Sequence, residues 1–365
     1  MSAGYEIEFI HVGTGQRNGD AIAVRYGEPG AYKILVYDGG TLAAGETLVR
    51  HIKENYGTSR VDDVVNSHPD SDHASGLRAV LEELDVGRVH MHRPWEHSSK
   101  ILDYFKDGRL TDQSLAARLK DKMAAAYEVE QLALGKRIPV IEPFQGMTIG
   151  NFVVLSPPRD WYIHDLIADF EKSPQAKAET IVTSAVDSLV KVVEGAAAKV
   201  MTWIDEKWDV ETLQEDVETS AENESSVILF GNFDGQGVLL TGDAGVQALS
   251  RAADYTEGLG FSLPNNLRFV QIPHHGSRHN VSPSVLDRIL GPKLPSGSVQ
   301  AKIAFASACA ECTTHPRKVV TNAFRRRGYG CYRHGNQSWI RHNHNMPART
   351  ATPLPPIPFH DRVEA

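Results

Sequence analysis

The stretch NSHPDSDHASGL, residues 66–77, decides the fold of this chain. It follows the apolar run RVDDVV, which predicts a buried strand, and it precedes a segment whose apolar residues fall on one face of a helix. The stretch therefore forms a strand-to-helix turn. Such turns, at the carboxyl ends of strands, are where α/β folds place their chemistry.

Four side chains of this turn are candidate metal ligands: His68, Asp70, Asp72 and His73. Alternate residues of an extended segment point to the same side, so His68, Asp70 and Asp72 can converge on one small volume. His73 can turn in from the start of the helix. Capping and solvation alone do not explain four such side chains at this spacing.

Two later strand ends add to this set. The segment VLLTGDAG ends an apolar strand at Gly242 and Asp243, where a lone carboxylate can bridge two metals, although an ordinary helix N-cap is the alternative. The segment FVQIPHHGS ends another strand at His274 and His275, two polar side chains that cannot both face the core. Together the three segments predict a site for two divalent metal ions.

The composition is that of a globular protein, since the 365 residues are 41 % apolar and 23 % charged. Strand and helix patterns alternate at the start and again in the last third, which indicates the α/β class. Between them, residues 98–222 are interpreted as a mainly helical insertion, with helices at 115–135 and 173–195 around one short strand. Residues 346–365 are proline-rich and are expected to form a loose tail, so the folded domain is expected to span residues 1–345.

Charge and targeting signals narrow the function classes. The formal net charge of −8 argues against non-specific coating of nucleic acid but leaves room for a local basic groove. The first residues lack the basic and apolar regions of a signal peptide, and no apolar run reaches the roughly 18 residues of a membrane span. Three cysteines do not suggest a disulfide framework. We therefore expect a soluble, cytoplasmic protein that binds no membrane; the sequence leaves its oligomeric state open.

Eight motifs follow one another along the chain: HVG, NGDA, DGG, HPDSDHASGL, ENESSVILF, LLTGDA, PHHGS and THP. In this order they resemble the metallo-β-lactamase fold, and most closely the soluble hydrolase domain of the ComEC competence proteins. The resemblance covers nearly the whole chain except the helical middle and the tail. It implies an α/β fold, a metallo-β-lactamase-like αββα sandwich with a helical insertion. It also implies a two-metal site at one edge and cleavage of phosphodiester bonds in nucleic acid.

The resemblance also assigns the ligands. One metal would be bound by His68, Asp70 and Asp243, and the other by Asp72, His73, Asp243 and His274. His275 would lie beside the site and face the substrate. The choice between His274 and His275 stays open.

The identity of the metal is left between manganese and zinc. Lactamases of the fold that the chain resembles usually carry histidine at the position of Asp70. A site richer in carboxylates is harder, which favours Mn²⁺ while Zn²⁺ stays open. Two such ions would acidify a bridging water and neutralise charge on the phosphate oxygens. In this mechanism Asp72 both binds a metal and orients the resulting hydroxide.

Further candidate residues come from the same resemblance. His315, in THP, would approach the substrate phosphate or the leaving group as a hydrogen-bond donor or general acid, with an exposed loop histidine as the alternative. Asn223, in ENESS, would contact the substrate. Arg317, Lys318 and the run Arg325–Arg327 could track a nucleic-acid backbone, or the run could be a basic last turn that complements the helix dipole.

The same region contains Cys309-x2-Cys312 and Cys331-x2-His334, a spacing that suits a structural zinc site. A redox pair of Cys309 and Cys312 is a second alternative. Reduced thiols, buried or in loops, are the default interpretation.

These observations predict a metal-dependent phosphodiesterase, a nuclease that acts on DNA. One alternative is hydrolysis of a smaller phosphodiester, such as a cyclic nucleotide or an oligonucleotide, which the acidic net charge tolerates better. Another is a catalytically idle fold whose helical middle binds a partner protein. Buried aspartates would repel one another without a metal, which argues against an idle fold.

Overall fold

The computed structural model describes residues 3–13, 19–104, 111–170, 202–335, 338–343, 346–350 and 352–364. The helix predicted at 173–195 lies outside these ranges. The described residues form sixteen β-strands: β1 (Gly4–Phe9), β2 (Ala21–Gly27), β3 (Lys33–Gly39), β4 (Arg60–Val65), β5 (Asp85–His90), β6 (Val140–Ile141), β7 (Thr148–Ile149), β8 (Phe152–Ser156), β9 (Trp203–Asp205), β10 (Ile228–Phe233), β11 (Gln236–Leu240), β12 (Leu267–Gln271), β13 (Lys302–Ala306), β14 (Tyr329–Arg333), β15 (Trp339–His342) and β16 (Arg362–Glu364). The same residues form thirteen α-helices: α1 (Leu42–His51), α2 (Ser71–Ala74), α3 (Leu77–Glu83), α4 (Ser98–Ile101), α5 (Asp112–Lys122), α6 (Ala124–Gly135), α7 (Arg159–Trp161), α8 (Ile167–Phe170), α9 (Ala221–Glu224), α10 (Val246–Gly258), α11 (Leu263–Asn266), α12 (Pro283–Leu290) and α13 (Lys318–Arg326).

Two seven-stranded sheets contain most of the strands. The first has the order β15-β1-β2-β3-β4-β5-β6, and the second has the order β14-β13-β12-β11-β10-β8-β7. Each sheet combines an antiparallel part with a parallel part, which is β3 to β6 in the first sheet and β11 to β14 in the second. Parallel neighbours present their carboxyl ends at the same edge, so the loops after these strands gather there.

The two sheets pack face to face through an apolar layer. Phe9 of β1 lies 5.8 Å from Phe269 of β12 and 4.5 Å from Phe305 of β13, measured between ring centroids. Alternate residues of each strand point to the opposite face. On those outer faces a second apolar set packs against α1 and α3 on the first sheet and against α10 and α12 on the second. This arrangement confirms the predicted αββα sandwich.

The turn that follows the ligand motif requires two backbones to approach closely. A Cβ atom at Gly76 would overlap the backbone of Gly39, the last residue of β3. The Gly76 N–H donates a hydrogen bond to the carbonyl of Gly40 at 2.8 Å. Because glycine has no side chain, α2 can lie against the end of β3. This contact brings His73 of α2 next to Asp38 of β3.

The region 98–222 is less uniformly helical than predicted. Helices α5 and α6 lie where the helix at 115–135 was expected, and β8 corresponds to the expected short strand. However, β6 completes the edge of the first sheet, and β7 and β8 complete the edge of the second. These strands are short, so their sequence pattern was weak. Part of the region therefore belongs to the sandwich itself.

The proline-rich tail ends in an ordered strand. β16 pairs antiparallel with β9, and Val363 is fully buried. The expectation of a loose tail is therefore wrong for these last residues, since three residues form a strand whose pairing partner lies far away in the sequence. Across the described ranges, every helix is too short or too polar to cross a membrane.

Candidate metal centre

Three strand ends deliver the predicted ligands to one edge of the sandwich. Two of these strands, β11 and β12, belong to the second sheet, whereas β4 belongs to the first. The ligands follow in chain order: His68, Asp70, Asp72 and His73 after β4, Asp243 after β11, and His274 and His275 after β12.

Asp243 lies at the centre of the cluster. It is 2 % exposed, so this carboxylate is shielded from solvent. Four imidazoles surround it. The nearest distances from Nε2 to its carboxylate oxygens are 3.4 Å for His73, 3.5 Å for His274, 3.8 Å for His68 and 3.8 Å for His275. A carboxylate in this position can be shared by two metal ions.

The other two carboxylates accompany different imidazoles. Asp70 Oδ2 lies 3.6 Å from Nε2 of His68. Asp72 Oδ2 lies 3.8 Å from Nε2 of His275 and 4.0 Å from Nε2 of His73. The cluster is thereby divided into two groups of ligand atoms that both contact Asp243.

The donor atoms fit divalent metal ions. Among the described residues, four sets have ligand atoms that all lie within 4.8 Å of one another: His68 with His73 and Asp243, Asp72 with His73 and His275, Asp243 with His274 and His275, and Asp20 with Asp38 and His73. Within the described ranges, Nε2 of His68, Nε2 of His73 and Oδ1 of Asp243 are buried and have no hydrogen-bond partner. Buried polar atoms without partners cost free energy, and a metal ion would satisfy all three.

The charges of the cluster shift its pKa values strongly. Burial opposes ionisation of Asp72, but the neighbouring charges of His73 and His275 outweigh it and lower the pKa of Asp72 to about 2. Burial likewise opposes a charge on His275, whereas Asp243 and Asp72 raise its pKa to about 9. The charges of His274 and His73 overcome burial and hold the pKa of Asp243 well below its usual range. Metal binding must therefore displace protons from imidazoles.

Asp38, to which the sequence analysis gave no role, holds His73 in place. Its Oδ2 accepts hydrogen bonds from Nδ1 of His73 at 2.9 Å and from Oγ of Ser67 at 2.6 Å, and its Oδ1 accepts from the backbone N–H of Ser67 at 2.6 Å. A hydrogen on Nδ1 leaves the lone pair of Nε2 for a metal. The signal was available, because Asp38 belongs to the motif DGG, and its φ of 59° marks a constrained backbone.

Asp20, from the motif NGDA, is a second buried carboxylate without a predicted role. Its Oδ2 lies 3.7 Å from Nδ1 of His73 and accepts a hydrogen bond from Nε2 of Gln271 at 2.7 Å. Burial raises the pKa of Asp20 to about 6. The Oε1 of Gln271 accepts from two backbone N–H groups in the turn before Asp243, at 2.9 and 3.2 Å. This network ties the first loop to the turn that delivers Asp243; its only sequence signal was a glutamine in an apolar strand.

Both neighbouring histidines reach the cluster, whereas the resemblance implied that His275 lies beside it. The side chain of His275 is buried, and its Nε2 lies 3.8 Å from Asp72 and 3.8 Å from Asp243. The backbone explains this, because φ is 46° at His274 and 54° at His275, a region that residues other than glycine rarely adopt. Adjacent residues of a strand point to opposite faces, and the left-handed turn brings both rings to one edge.

His315 lies at the rim of the cluster. Its ring stacks on that of His274 with a centroid distance of 6.3 Å and an interplanar angle of 15°. Oγ1 of Thr314 lies 3.1 Å from its Nδ1, and its backbone N–H donates to Sγ of Cys312 at 3.3 Å. Burial, together with the charges of His275 and His274, lowers the pKa of His315 to about 3. The ring is therefore neutral near pH 7 and can form hydrogen bonds at the site.

The predicted substrate-binding residues occupy three different environments. Asn223 is 1 % exposed and lies behind His274, with 3.0 Å between its Nδ2 and Nδ1 of the imidazole, so it contacts a ligand. Nζ of Lys318 packs over the ring of Trp203 at 4.5 Å. Arg317 is half-buried and precedes α13, and its backbone N–H donates to the carbonyl that follows His275 in the turn at 2.9 Å. Of the three, Arg317 lies next to the turn that carries the two histidines.

Two residues of the run Arg325–Arg327, for which tracking a nucleic-acid backbone was one alternative, point into the interior. Arg326 is fully buried, and its guanidinium lies 3.3 Å from the carboxylate of Glu206. Arg327 is 2 % exposed and pairs with Glu211 at 2.7 Å. Both side chains are enclosed by the segment that follows β9, where no phosphate backbone can reach them.

The alternative of a structural zinc site finds no support in the described part of the chain. Sγ of Cys331 donates to the carbonyl of Thr321 at 3.4 Å, and burial raises the pKa of this thiol to about 12. Nε2 of His334 lies 3.3 Å from Oγ of Ser307. Among the described residues, none of the metal-compatible groups contains the four candidates, which are Cys309, Cys312, Cys331 and His334. All three cysteines lack disulfides, in agreement with the default interpretation.

Two packed sheets between helices, with a His/Asp cluster at one edge that could hold metal ions, place the chain in the α/β class. Residues 15–183 match the model of the metallo-beta-lactamase superfamily. The match includes the ligands from His68 to His73 and ends before Asp243. Proteins of this superfamily are generally metal-dependent hydrolases and typically bind zinc.

The solved structures that are similar to this chain include two proteins of the same fold. One is the metallo-beta-lactamase fold protein YhfI from Bacillus subtilis, with 9 % identity over 93 % of this chain and 100 % of that chain and a TM-score of 0.39. The other is a metallo beta lactamase from Hirschia baltica, with 12 % identity over 80 % of this chain and 95 % of that chain and a TM-score of 0.33. No curated protein matches the chain. The match to the family model supports the resemblance to the superfamily, and the narrower resemblance to ComEC stays a prediction.

Proposed function

We propose that this protein is a metal-dependent phosphodiester hydrolase, with DNA as the first candidate substrate. The observation that carries the proposal is Asp243, a buried carboxylate that contacts two groups of ligand atoms at one edge of the sandwich. Hydrolysis of phosphodiesters often uses two divalent ions about 3.5–4 Å apart, and a shared carboxylate holds such a pair together.

The charge of the cluster suits an anionic substrate. Asp70, Asp72 and Asp243 contribute fewer negative charges than two divalent ions contribute positive ones, and imidazoles bind metals in their neutral form. The loaded site would therefore keep a net positive charge. Such a charge attracts a phosphodiester and stabilises the additional negative charge of its transition state.

The ligand set bears on the choice of metal. The preference for manganese assumed that carboxylates matched or outnumbered imidazoles among the ligands. With His275 inside the cluster, four imidazoles accompany Asp70, Asp72 and Asp243. Imidazole suits zinc better than carboxylate does, so the structure removes the reason to prefer manganese. We therefore propose two ions, with Zn²⁺ and Mn²⁺ as equal candidates.

Asp72 and His315 would have different roles beside the bound ions. Bound ions would stabilise charge on the phosphate oxygens and acidify a water molecule. Asp72, with a pKa of about 2, stays ionised in neutral solution and can accept a hydrogen bond from the attacking water. His315 is neutral because its pKa is about 3, so we assign it hydrogen bonding to the phosphate and not proton donation to the leaving group.

A smaller phosphodiester is the second candidate substrate, and one observation favours it. Arg326 and Arg327, which were expected to follow a nucleic-acid backbone, are buried in ion pairs. Long DNA binds through many phosphate contacts, and its affinity falls steeply with added salt. A cyclic nucleotide or a short oligonucleotide needs only the cluster and its rim, so its turnover should depend little on salt.

The test is a cleavage assay on protein that has been stripped of metal and then supplied with Zn²⁺, Mn²⁺ or Mg²⁺. The substrates are linear and circular DNA, RNA, cyclic nucleotides and dinucleotides. The variant Asp243→Asn should lower turnover by about a hundredfold or more, beyond the 10–100-fold typical of residues that only support ligands. The control is Asp85→Asn, because Asp85 is exposed at the start of β5, at the end of the strand opposite to the site.

The outcomes separate the candidates. Metal-dependent cleavage of DNA that is lost in Asp243→Asn and weakened by salt supports a nuclease. Cleavage of small phosphodiesters alone supports the second candidate. Activity that is equal in Asp243→Asn and in wild-type protein at matched metal would contradict the shared-carboxylate mechanism.

A further inference from the structure

The sequence left open which of two adjacent histidines is the fixed ligand, and a buried asparagine bears on that question. Asn280 lies in the loop before α12 and is fully buried. We infer that Asn280 is a positioning residue of the metal centre. It fixes the ring tautomer of His274 and the backbone of Asp243, and it thereby makes His274 the preorganised ligand.

The orientation of the Asn280 amide follows from its two partners. Nδ2 lies 2.7 Å from the backbone carbonyl oxygen of Asp243, which can only accept a hydrogen bond, so the amide nitrogen must face it. The amide oxygen Oδ1 then faces Nδ1 of His274 at 3.0 Å. An amide oxygen also only accepts, so Nδ1 of His274 carries the hydrogen.

This tautomer prepares His274 to bind a metal. A neutral imidazole with its hydrogen on Nδ1 has its lone pair on Nε2. Nε2 of His274 faces the cluster and lies 3.5 Å from Oδ2 of Asp243. Asn280 therefore holds the backbone of one ligand and the ring of another, and the two ligands come from the ends of different strands.

Asn223 completes the arrangement. Its Nδ2 lies 3.0 Å from Nδ1 of His274, and in the described part of the chain its Oδ1 is buried without a hydrogen-bond partner. A hydrogen on Nδ1 requires an acceptor there. Turning the amide over places Oδ1 against this hydrogen, and Oγ1 of Thr219, which lies 3.4 Å from the present Nδ2, can donate to the same oxygen, because the two ends of an amide are similar in shape. Asn223 then assists Asn280 and does not contact substrate.

His275 has no comparable support. Within the described ranges, Nδ1 and Nε2 of its ring are both buried without a hydrogen-bond partner. In this part of the chain, no hydrogen bond selects one tautomer of the ring. His275 can therefore adjust to a metal or a substrate, whereas His274 is held ready. The two adjacent histidines look equivalent in the sequence, and only the structure shows this difference between them.

The experiment measures metal binding, with no substrate. Metal-stripped protein is titrated with Zn²⁺ against a chromophoric chelator, and with Co²⁺ to record the visible spectrum of the bound ion. The variant Asn280→Ala is compared with wild-type protein and is combined with His274→Ala and with His275→Ala. We expect Asn280→Ala to weaken Zn²⁺ binding about 10–100-fold in wild-type protein and in the His275→Ala background. In the His274→Ala background its further effect should be clearly smaller, because the ring is gone and only the backbone of Asp243 remains to be held.

Two further variants control for structural damage. Asn280→Asp keeps an acceptor for His274 and should retain more Zn²⁺ affinity than Asn280→Ala; it also carries the test if the alanine variant does not fold. Asn322→Ala removes another fully buried asparagine, whose amide exchanges hydrogen bonds of 2.8 and 2.9 Å with the backbone of His360 in the tail. It should lower stability and leave Zn²⁺ affinity within about twofold.

Two results would overturn the inference. One is a Zn²⁺ affinity of Asn280→Ala equal to that of wild-type protein. The other is an equal weakening in the His274→Ala background, which would show that Asn280 acts only through the backbone of Asp243. The inference rests on the proposed metal centre but not on the reaction. If none of the substrates is cleaved in the assay above, this metal-binding test still applies.

Discussion

At the scale of single residues, the cluster depends on hydrogen bonds to the imidazole nitrogens that face away from it. The two ring nitrogens of His73 face different carboxylates. Nε2 lies 3.4 Å from Asp243 inside the cluster, and Nδ1 lies 2.9 Å from Asp38 outside it. A carboxylate that accepts the hydrogen of an imidazole fixes the ring and makes it a stronger ligand. The metal affinity of His73 is therefore set partly by Asp38, a residue that need not touch the metal.

The variant Asp38→Asn tests this dependence. An amide offers one acceptor in place of two, while Ser67 and His73 together direct three hydrogen bonds at this carboxylate. We expect Zn²⁺ affinity to fall about 10–100-fold, measured by chelator competition. Asp63→Asn is the matched control, because Asp63 accepts from Nε2 of His90 at 2.9 Å outside the cluster. An unchanged affinity in Asp38→Asn would show that His73 needs no partner on Nδ1.

A second expectation at this scale concerns pH. Despite burial, Asp243 and Asp72 raise the pKa of His275 to about 9, and Asp243 keeps the pKa of His73 well above its usual range. In metal-free protein these rings are therefore protonated at neutral pH, and a metal must displace their protons. Affinity should rise with pH by about tenfold per unit for each displaced proton, and the contribution of His275 should end at about pH 9. Calorimetry in two buffers of different protonation enthalpy counts the protons, and binding without proton release would contradict these pKa shifts.

At the scale of elements, α13 shows that a basic run can form ion pairs and hydrogen bonds in the protein interior. The helix turns Arg326 toward the segment that follows β9, where its guanidinium donates to the backbone carbonyls of Lys207 and Trp208 at 2.6 and 2.8 Å. The ion pair with Glu206 is also inside, with both side chains inaccessible to solvent. The helix thus anchors a segment more than a hundred residues away in the chain.

Replacing the anchor should cost stability and not substrate binding. Arg326→Met leaves the buried carboxylate of Glu206 without its partner, and breaking such a pair typically costs about 3–5 kcal/mol. Arg78→Met is the control, because Arg78 pairs with Glu128 at 3.0 Å on the surface, where a pair contributes about 1 kcal/mol or less. Urea unfolding at constant metal measures both. Unchanged stability of Arg326→Met together with weaker DNA binding would instead indicate that Arg326 contacts nucleic acid.

The elements also show what the sequence could and could not predict. His68 to His73 are close in the chain, so their spacing alone indicated a metal site. Asp38 and Asn280 act through single hydrogen bonds between distant segments, and no local pattern marks such partners. Arg326 looked exposed because a helix with three basic residues usually is, and only the fold places Glu206 beside it. The sandwich fold was predictable from the order of the motifs, whereas these pairings depended on tertiary contacts.

At the scale of the whole molecule, the metal centre lies across the junction of the two sheets. His68 and His73 follow a strand of the first sheet, and Asp243, His274 and His275 follow strands of the second. Ions bound there would contact ligands from both layers of the sandwich at once. Unfolding separates these layers, so it must release the ions, and metal binding should be coupled to the stability of the entire fold.

Metal removal should therefore lower the free energy of unfolding. An ion that binds only the folded chain adds about 2.7 kcal/mol at a free concentration of one hundred times its Kd, and about 4.1 kcal/mol at one thousand times. We expect the urea midpoint to rise with the logarithm of free Zn²⁺ and to fall on chelation. Asp243→Asn should lose most of this rise, because it removes the carboxylate that both groups of ligands contact. A rise of equal size in Asp243→Asn would place the stabilising ion elsewhere. Combined substitution of Cys309 and Cys312 would then test whether these two thiols bind it.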